Sequence, residues 1–151
     1  MRDVFVPLSL ENYQGAYQIH TTGHFKPWSQ RVFADCITQP YFAYQLQDDK
    51  QTVGYYVSLK VLDEATLMDI AVDSAYQGQG WGHKALTHFI QQCQQRQVST
   101  IWLEVRQSNY AAIKLYEKSG FSLIEKRANY YLTENGHEDA LIMKCVIAGQ
   151  G

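Results

Sequence analysis

Proline is scarce in this 151-residue chain, with three in all, and cysteine is equally rare. Cys36, Cys93 and Cys145 are far apart and odd in number, and none belongs to a C-x-x-C. That excludes a disulfide framework or a zinc knuckle and points to three reduced thiols in a cytoplasmic protein. Long apolar runs are also missing. No stretch approaches the ~20 apolar residues of a membrane span, and "MRDVFVPLSLENY" lacks the apolar segment of a secretory signal. Charge of one sign is absent too: 13 Lys and Arg against 15 Asp and Glu leave −2 at pH 7. Nothing general therefore favours nucleic acid or a membrane surface as a partner. The five histidines form no metal set. His20 and His24 are four apart in "HTTGH", but Gly23 is a helix terminator, so no shared ligand face, and no metal, is expected.

What is present is ordinary globular composition: 46% hydrophobic and 19% charged residues exclude wholesale disorder. One domain is expected over 1–147, with "AGQG" (148–151) as a flexible tail. "DVFVPL" reads as a strand. "SLENYQGAYQIH" reads as a helix, with Leu10, Tyr13, Ala16 and Tyr17 at helical spacing and Ser9 as N-cap. "TTGHFKPW" is a loop, and Ser29 caps a second short helix, "QRVFADCI". "YFAYQLQ", "TVGYYVSLKVL" and "ATLMDIAV", separated by turn residues, form an antiparallel meander. Leu86, Phe89, Ile90 and Cys93 give "HKALTHFIQQCQQR" an apolar stripe. "TIWLEV" is a strand, and "SNYAAIKLYEKS" is a helix closed by Gly120. "FSLIEKRANYYL" and "EDALIMKCVI" close the chain as a hairpin. The order β-α-α-β-β-β-α-β-α-β-β predicts a single α/β (α+β) domain around a mixed sheet.

Residues 77–82, "QGQGWG", place three glycines just where a strand runs into a helix. The first amides of a helix lack internal partners and its dipole favours an anion, so such a junction binds phosphate. Glycines let the backbone approach the phosphate closely. The spacing G-x-G-x-G is not the dinucleotide pattern G-x-G-x-x-G, and the G-K-[ST] of triphosphate loops is absent.

The pattern that fits is Q-x-x-G-x-G, carried by Gln77, Gly80 and Gly82. Here the chain resembles the GNAT acetyltransferase superfamily, in which this loop holds the pyrophosphate of acetyl-CoA. "VLDEATLMDIAVDSAYQGQGWG", "WLEVRQSNYAAIKLYEKSGF" and "NYYLTENGHEDALIMK" are similar to its RimI-type branch, bacterial enzymes that acetylate the N-terminal alanine of a small-subunit ribosomal protein, S-eighteen. The resemblance implies the GNAT fold, a mostly antiparallel sheet of about seven strands flanked by helices. It implies acetyl-CoA as cosubstrate, bound by backbone groups of Ile70, Ala71 and Val72 and by the loop residues Gln77, Gly78, Gln79, Gly80, Trp81, Gly82 and His83, with Asn109 and Tyr116 also touching it. Basic side chains are usual in that family at the positions of Gly78 and His83; here only Lys84 is adjacent, so binding falls to the backbone. Phe25, Trp28, Tyr130 and Tyr131 would flank the acceptor groove, with local packing as the competing reading. Acidic Glu134, Glu138 and Asp139 either attract a basic peptide or solvate a hairpin tip.

Acetyl transfer to an amine needs a base, because a free α-amino group with a pKa of about 8 is largely protonated at neutral pH. In "TIWLEVR", Ile101, Leu103 and Val105 share one face and Trp102, Glu104 and Arg106 the other. Glu104 either pairs with Arg106 on a solvated face or, as the resemblance implies, serves as the general base. Tyr116 lies on the stripe of Ala112 and Ile113 and is either core or, by resemblance, the acid that protonates the departing thiolate. A backbone N–H near Ala71–Val72 would polarise the thioester carbonyl, and Cys93 reads as helix core. Lysine side chains, a small polyamine, or a non-catalytic acyl-CoA-binding module are the alternatives, and oligomeric state is left open.

Overall fold

The computed structural model describes residues 3–147; the tail expected at 148–151 lies outside them. Seven strands form one sheet in the order β1-β2-β3-β4-β5-β7-β6. They are β1 (Asp3–Pro7), β2 (Tyr41–Asp48), β3 (Gln51–Val61), β4 (Glu64–Val72), β5 (Thr100–Arg106), β6 (Ser122–Thr133) and β7 (Gly136–Val146). Every neighbouring pair is antiparallel except β4 with β5. That pair is parallel because helix α3 (Trp81–Gln95) carries the chain from one to the other. The remaining helices are α1 (Gln14–Gly23), α2 (Gln30–Asp35) and α4 (Tyr110–Lys118). None among the described residues is long and apolar enough to cross a membrane.

The sheet carries core on both faces. Leu86, Phe89 and Cys93 of α3 and Tyr116 of α4 pack against Tyr56, Leu67, Ile101 and Leu103. Ala16 and Ile19 of α1 and Phe33 of α2 pack against Ala43, Tyr55 and Val57 on the other side. The apolar stripe read from the α3 sequence is thus the stripe that is buried. Burial pushes the Cys93 thiol up to about 12, which makes it packing rather than a nucleophile.

The first helix departs from the sequence reading. It begins at Gln14, with Tyr13 at its N-cap and no side-chain capping bond. Ser9 instead closes a turn: its N–H donates to Asn12 Oδ1 at 2.8 Å and its carbonyl accepts from the Asn12 N–H at 3.2 Å. Ser and Asn offer the backbone turn bonds that compete with helix, and Leu10 is left 54% exposed, outside the helix. Ser29 does cap α2, accepting from the Val32 N–H at 3.2 Å. Gly120, with φ 101, follows α4 in the left-handed conformation expected of it.

Candidate active site

The parallel ladder between β4 and β5 runs from Glu64↔Thr100 to Leu67↔Leu103 and stops. A β-bulge explains the break: against β3, Leu67 pairs with Ser58 and Asp69 with Val57, leaving Met68 as the extra residue. A bulge bends its strand and inverts the alternation beyond it. Ala65 and Leu67 belong to the α3/α4 face, while beyond Met68 it is Ile70 that packs there. Asp69 reaches α1 and Ala71 packs on the α1/α2 cluster. The carboxyl ends of the two parallel strands therefore splay apart around a cleft of about 830 Å³. Such a crevice is where open α/β sheets bind ligands.

The glycine loop forms the floor at one end. Gly78 (φ 78) and Gly80 (φ 90) hold left-handed backbone conformations, and Gly80 is the N-cap of α3. Gln77 braces the loop, its amide donating to the Val72 carbonyl at 3.1 Å. Trp81, placed so oddly between glycines, is only 3% exposed and anchors the helix start against Leu46 and Val53. Its Nε1–H donates to Gln79 Oε1 at 3.3 Å, and the Lys84 ammonium sits 4.5 Å above its ring. Lys84 N–H makes the bond back to the Gly80 carbonyl at 3.2 Å. The amides of Gly82 and His83 precede it in the first turn, where a helix offers no internal acceptor. Ile70, Ala71, Val72, Gln77, Gly78, Gly80, Trp81 and Gly82 all border the cleft; Gln79 and His83 are exposed and do not border it.

Gly82 supplies a clean test of this end. A Cβ built there meets only Leu115 Cδ2, at 3.8 Å, so the protein itself has room for a side chain. Gly82→Val is expected to keep its melting temperature and to weaken coenzyme A binding on the order of tenfold, or more, by obstructing the approach to the helix amides. Calorimetric titration with coenzyme A reads this directly; parental affinity in a folded variant would reduce "QGQGWG" to a structural turn.

Glu104 enters the cleft from β5. The strand alternates as read from sequence, with Ile101, Leu103 and Val105 buried and Glu104 exposed on the opposite face. Arg106 is not its partner: that guanidinium reaches Glu138 Oε1 at 3.4 Å and stacks 4.3 Å from the Tyr131 ring. Glu138 also accepts from the Ser108 N–H at 2.8 Å, so it ties the last hairpin to the β5–α4 loop rather than merely solvating a tip. The hydrogen bonds from Ser108 lower its pKa. Tyr116 enters from α4, 5% exposed, its ring 5.8 Å from Phe121. Burial, then the nearby Asp69 and Tyr131, push its phenol well above the ordinary tyrosine range. Asn109 caps α4, accepting from the Ala112 N–H at 3.3 Å, and also borders the cleft.

The four aromatic residues expected at the acceptor groove divide. Trp28 and Tyr131 border the cleft; Phe25 and Tyr130 do not. The β6 register is broken between Arg127 and Tyr131, and within that irregular stretch the Tyr130 ring packs edge-on against Tyr131, 5.2 Å between centroids, without reaching the cleft itself. Tyr130 is 49% exposed and packs under Arg127, and Phe25 is 50% exposed. Trp28 also packs locally, 4.9 Å from the His20 ring.

The expectation that His20 and His24 share no ligand face is overturned. The helix does end at Gly23, but His24 follows in an extended conformation that brings its ring 4.3 Å from that of His20. Both converge on Asp69: His20 Nδ1 lies 2.8 Å from Oδ2 and His24 Nε2 lies 3.0 Å from Oδ1. The Tyr55 hydroxyl donates to Oδ2 at 2.5 Å. Burial alone would raise the Asp69 pKa, but the hydrogen bonds from His20, His24 and Tyr55 outweigh it and hold the carboxyl at about 2. Sequence spacing carried no signal of this cluster, because Asp69 faces α1 only through the bulge at Met68.

The sequence matches the acetyltransferase (GNAT) family over residues 7–121. It is 44% identical to a ribosomal protein bS18-alanine N-acetyltransferase of Escherichia coli (strain K12) over 141 residues, 93% of this chain and 95% of that protein. A protein of the same name from Haemophilus influenzae is 38% identical over 137 residues, 90% of this chain and 93% of its own. The crystal structure of the ribosomal-protein-S18-alanine N-acetyltransferase from Escherichia coli superposes with a TM-score of 0.94 at 42% identity, covering 99% of this chain and 97% of that one. A GNAT family acetyltransferase from Elizabethkingia anophelis with acetyl-CoA bound shares the fold at a TM-score of 0.77 and 19% identity, over 96% of this chain and 98% of the other. With a splayed parallel strand pair, a glycine-capped helix at its mouth and relatives of this closeness, the chain belongs to the acetyltransferase (GNAT) family.

Proposed function

We propose that this chain transfers acetyl from acetyl-CoA directly to the N-terminal alanine of ribosomal protein bS18, as a single domain of residues 1–147 working in the cytoplasm. The observation that carries the reading is one cleft bordered by Glu104, by Tyr116 and by the amide-bearing N-terminus of α3. The substrate follows from relatives 44% and 38% identical across nearly their whole length.

Each residue then has a part. The amides from Gly78 to His83 bind the coenzyme's phosphates without basic side chains at positions 78 and 83, and Ile70, Ala71 and Val72 border its thioester arm. An N–H near Ala71–Val72 polarises the carbonyl. Glu104, read from the sequence as the base that neutralises the ammonium, is assigned instead to the bond-forming step, accepting the proton released as the amine nitrogen bonds to the carbonyl carbon, and Tyr116 donates one to the thiolate that leaves. Trp28 and Tyr131 flank the acceptor peptide. No metal is assigned a role.

Mass spectrometry of peptides beginning with Ala, Ser or Met, alongside peptides with internal Lys only, tests the acceptor. Acetate is expected on the α-amino group of the Ala peptide. Acetate on internal Lys alone would move the reading to a lysine acetyltransferase; coenzyme binding with no amine acetylated would make the chain a binding module.

A further inference from the structure

An α-ammonium loses two protons on its way to an amide. One must leave before the nitrogen has a lone pair, and one leaves as the N–C bond forms and the C–S bond breaks. The thiol product accounts for one proton and solvent receives the other. With Glu104 taking the proton of the bond-forming step, the earlier one needs its own acceptor. We propose that His24, held by the buried Asp69 carboxylate, takes that first proton from the acceptor ammonium and passes it to solvent, an inference that rests on the acetyl-transfer reading above.

Geometry supplies the argument. Asp69 Oδ1 accepts from His24 Nε2, so Nε2 carries hydrogen and Nδ1 is left as the basic nitrogen. Among the described residues nothing hydrogen-bonds that Nδ1. The His24 side chain is 37% exposed and borders the same cleft as Glu104 and Tyr116. A proton taken up there creates an imidazolium already seated against a carboxylate. The Asp69 hydrogen bond raises the His24 pKa, outweighing burial and the opposing charge of Arg106. That direction makes the imidazole a better proton acceptor for the ammonium.

The charged and titratable groups around His24 are His20 of α1, Tyr55 of β3, Asp69 of β4 and Arg106 of β5, with Lys26 following in its own loop. His20 does not compete for the role. The Trp28 N–H donates to its Nε2 at 2.8 Å, and a backbone N–H can only donate, so the His20 proton sits on Nδ1 and points at Asp69. That arrangement also argues against a metal on the three side chains, whose ligand atoms lie within 4.8 Å of one another. The His20 Nδ1 lone pair that a metal would need is occupied by its proton.

The test is kcat/KM against pH, from 6 to 9.5, with an N-terminal Ala peptide. His24→Gln retains an amide donor for Asp69 and removes the base; His24→Asn is the second variant. Both are expected to keep parental melting temperature and coenzyme A affinity. At pH 7, where about a tenth of an amine of pKa about 8 is neutral, kcat/KM should fall about tenfold. The gap should close to a few-fold by pH 9.5, where an amine of pKa about 8 is already neutral. The Glu104→Gln deficit, read alongside, should persist at high pH. Parental kcat/KM at pH 7 in both variants, or a deficit of equal size at every pH, would overturn the proposal, the latter making His24 a brace. A parent protein that acetylates no N-terminal peptide is a different failure, visible before any variant is compared; it sinks the acetyl-transfer reading and this proposal with it.

Discussion

Replacing Glu104 by Gln should leave a folded protein that binds coenzyme A with parental affinity and transfers acetyl ~10²–10⁴-fold more slowly at pH 7. The fold should be indifferent because Glu104 is the exposed residue of an otherwise half-buried or buried strand and holds no ion pair with Arg106. Gln keeps the shape and loses the proton-accepting carboxylate. Calorimetry with coenzyme A and kcat with the Ala peptide separate binding from chemistry. A variant with parental kcat at pH 7 would remove Glu104 from the mechanism.

Tyr116→Phe should produce a loss of similar order, about 10²-fold, with a different signature. The ring is part of the core beside Phe121, and Phe preserves that packing. Burial raises the phenol's pKa, so the parent group remains a protonated donor throughout the range from pH 6 to 10. Its loss should accordingly lower kcat evenly across that range, since a missing donor to the thiolate is not replaced by making the amine neutral. Parental kcat, or recovery at high pH, would leave the acid without an identity.

Much of this was readable from local pattern. The alternation of "TIWLEVR" placed Glu104 opposite the buried face, and the stripe of α3 named its core residues, because periodicities of 2 and 3.6 are local properties of the backbone. The glycine loop was readable because positive φ and close approach demand a residue type. Ser9 misled because the same side chain serves a cap or a turn, and only Asn12 in its folded position decides. Asp69 was invisible for a different reason. Alternation counted from Leu67 assigns it to the α3 face, and a single extra residue at Met68 turns it to α1. Nothing in "TLMDIAV" marks that residue, since a bulge is settled by pairing with a distant strand.

The broken ladder between β4 and β5 also changes how many borders the sheet has. Besides its outer margins at β1 and β6, it owns a third, interior one, where two strand flanks face each other without ladder pairing beyond Leu67 and Leu103. Outer margins must be defended against other chains. This one lies in a cleft that also takes in residues of α3, α4 and the loop after α1, so a folded neighbour's strand has little room to add there. Strand flanks that the ladder no longer pairs instead suit a slender guest that carries peptide-like groups of its own. The sheet is thereby left one strand short by construction, and the missing strand can be a small molecule.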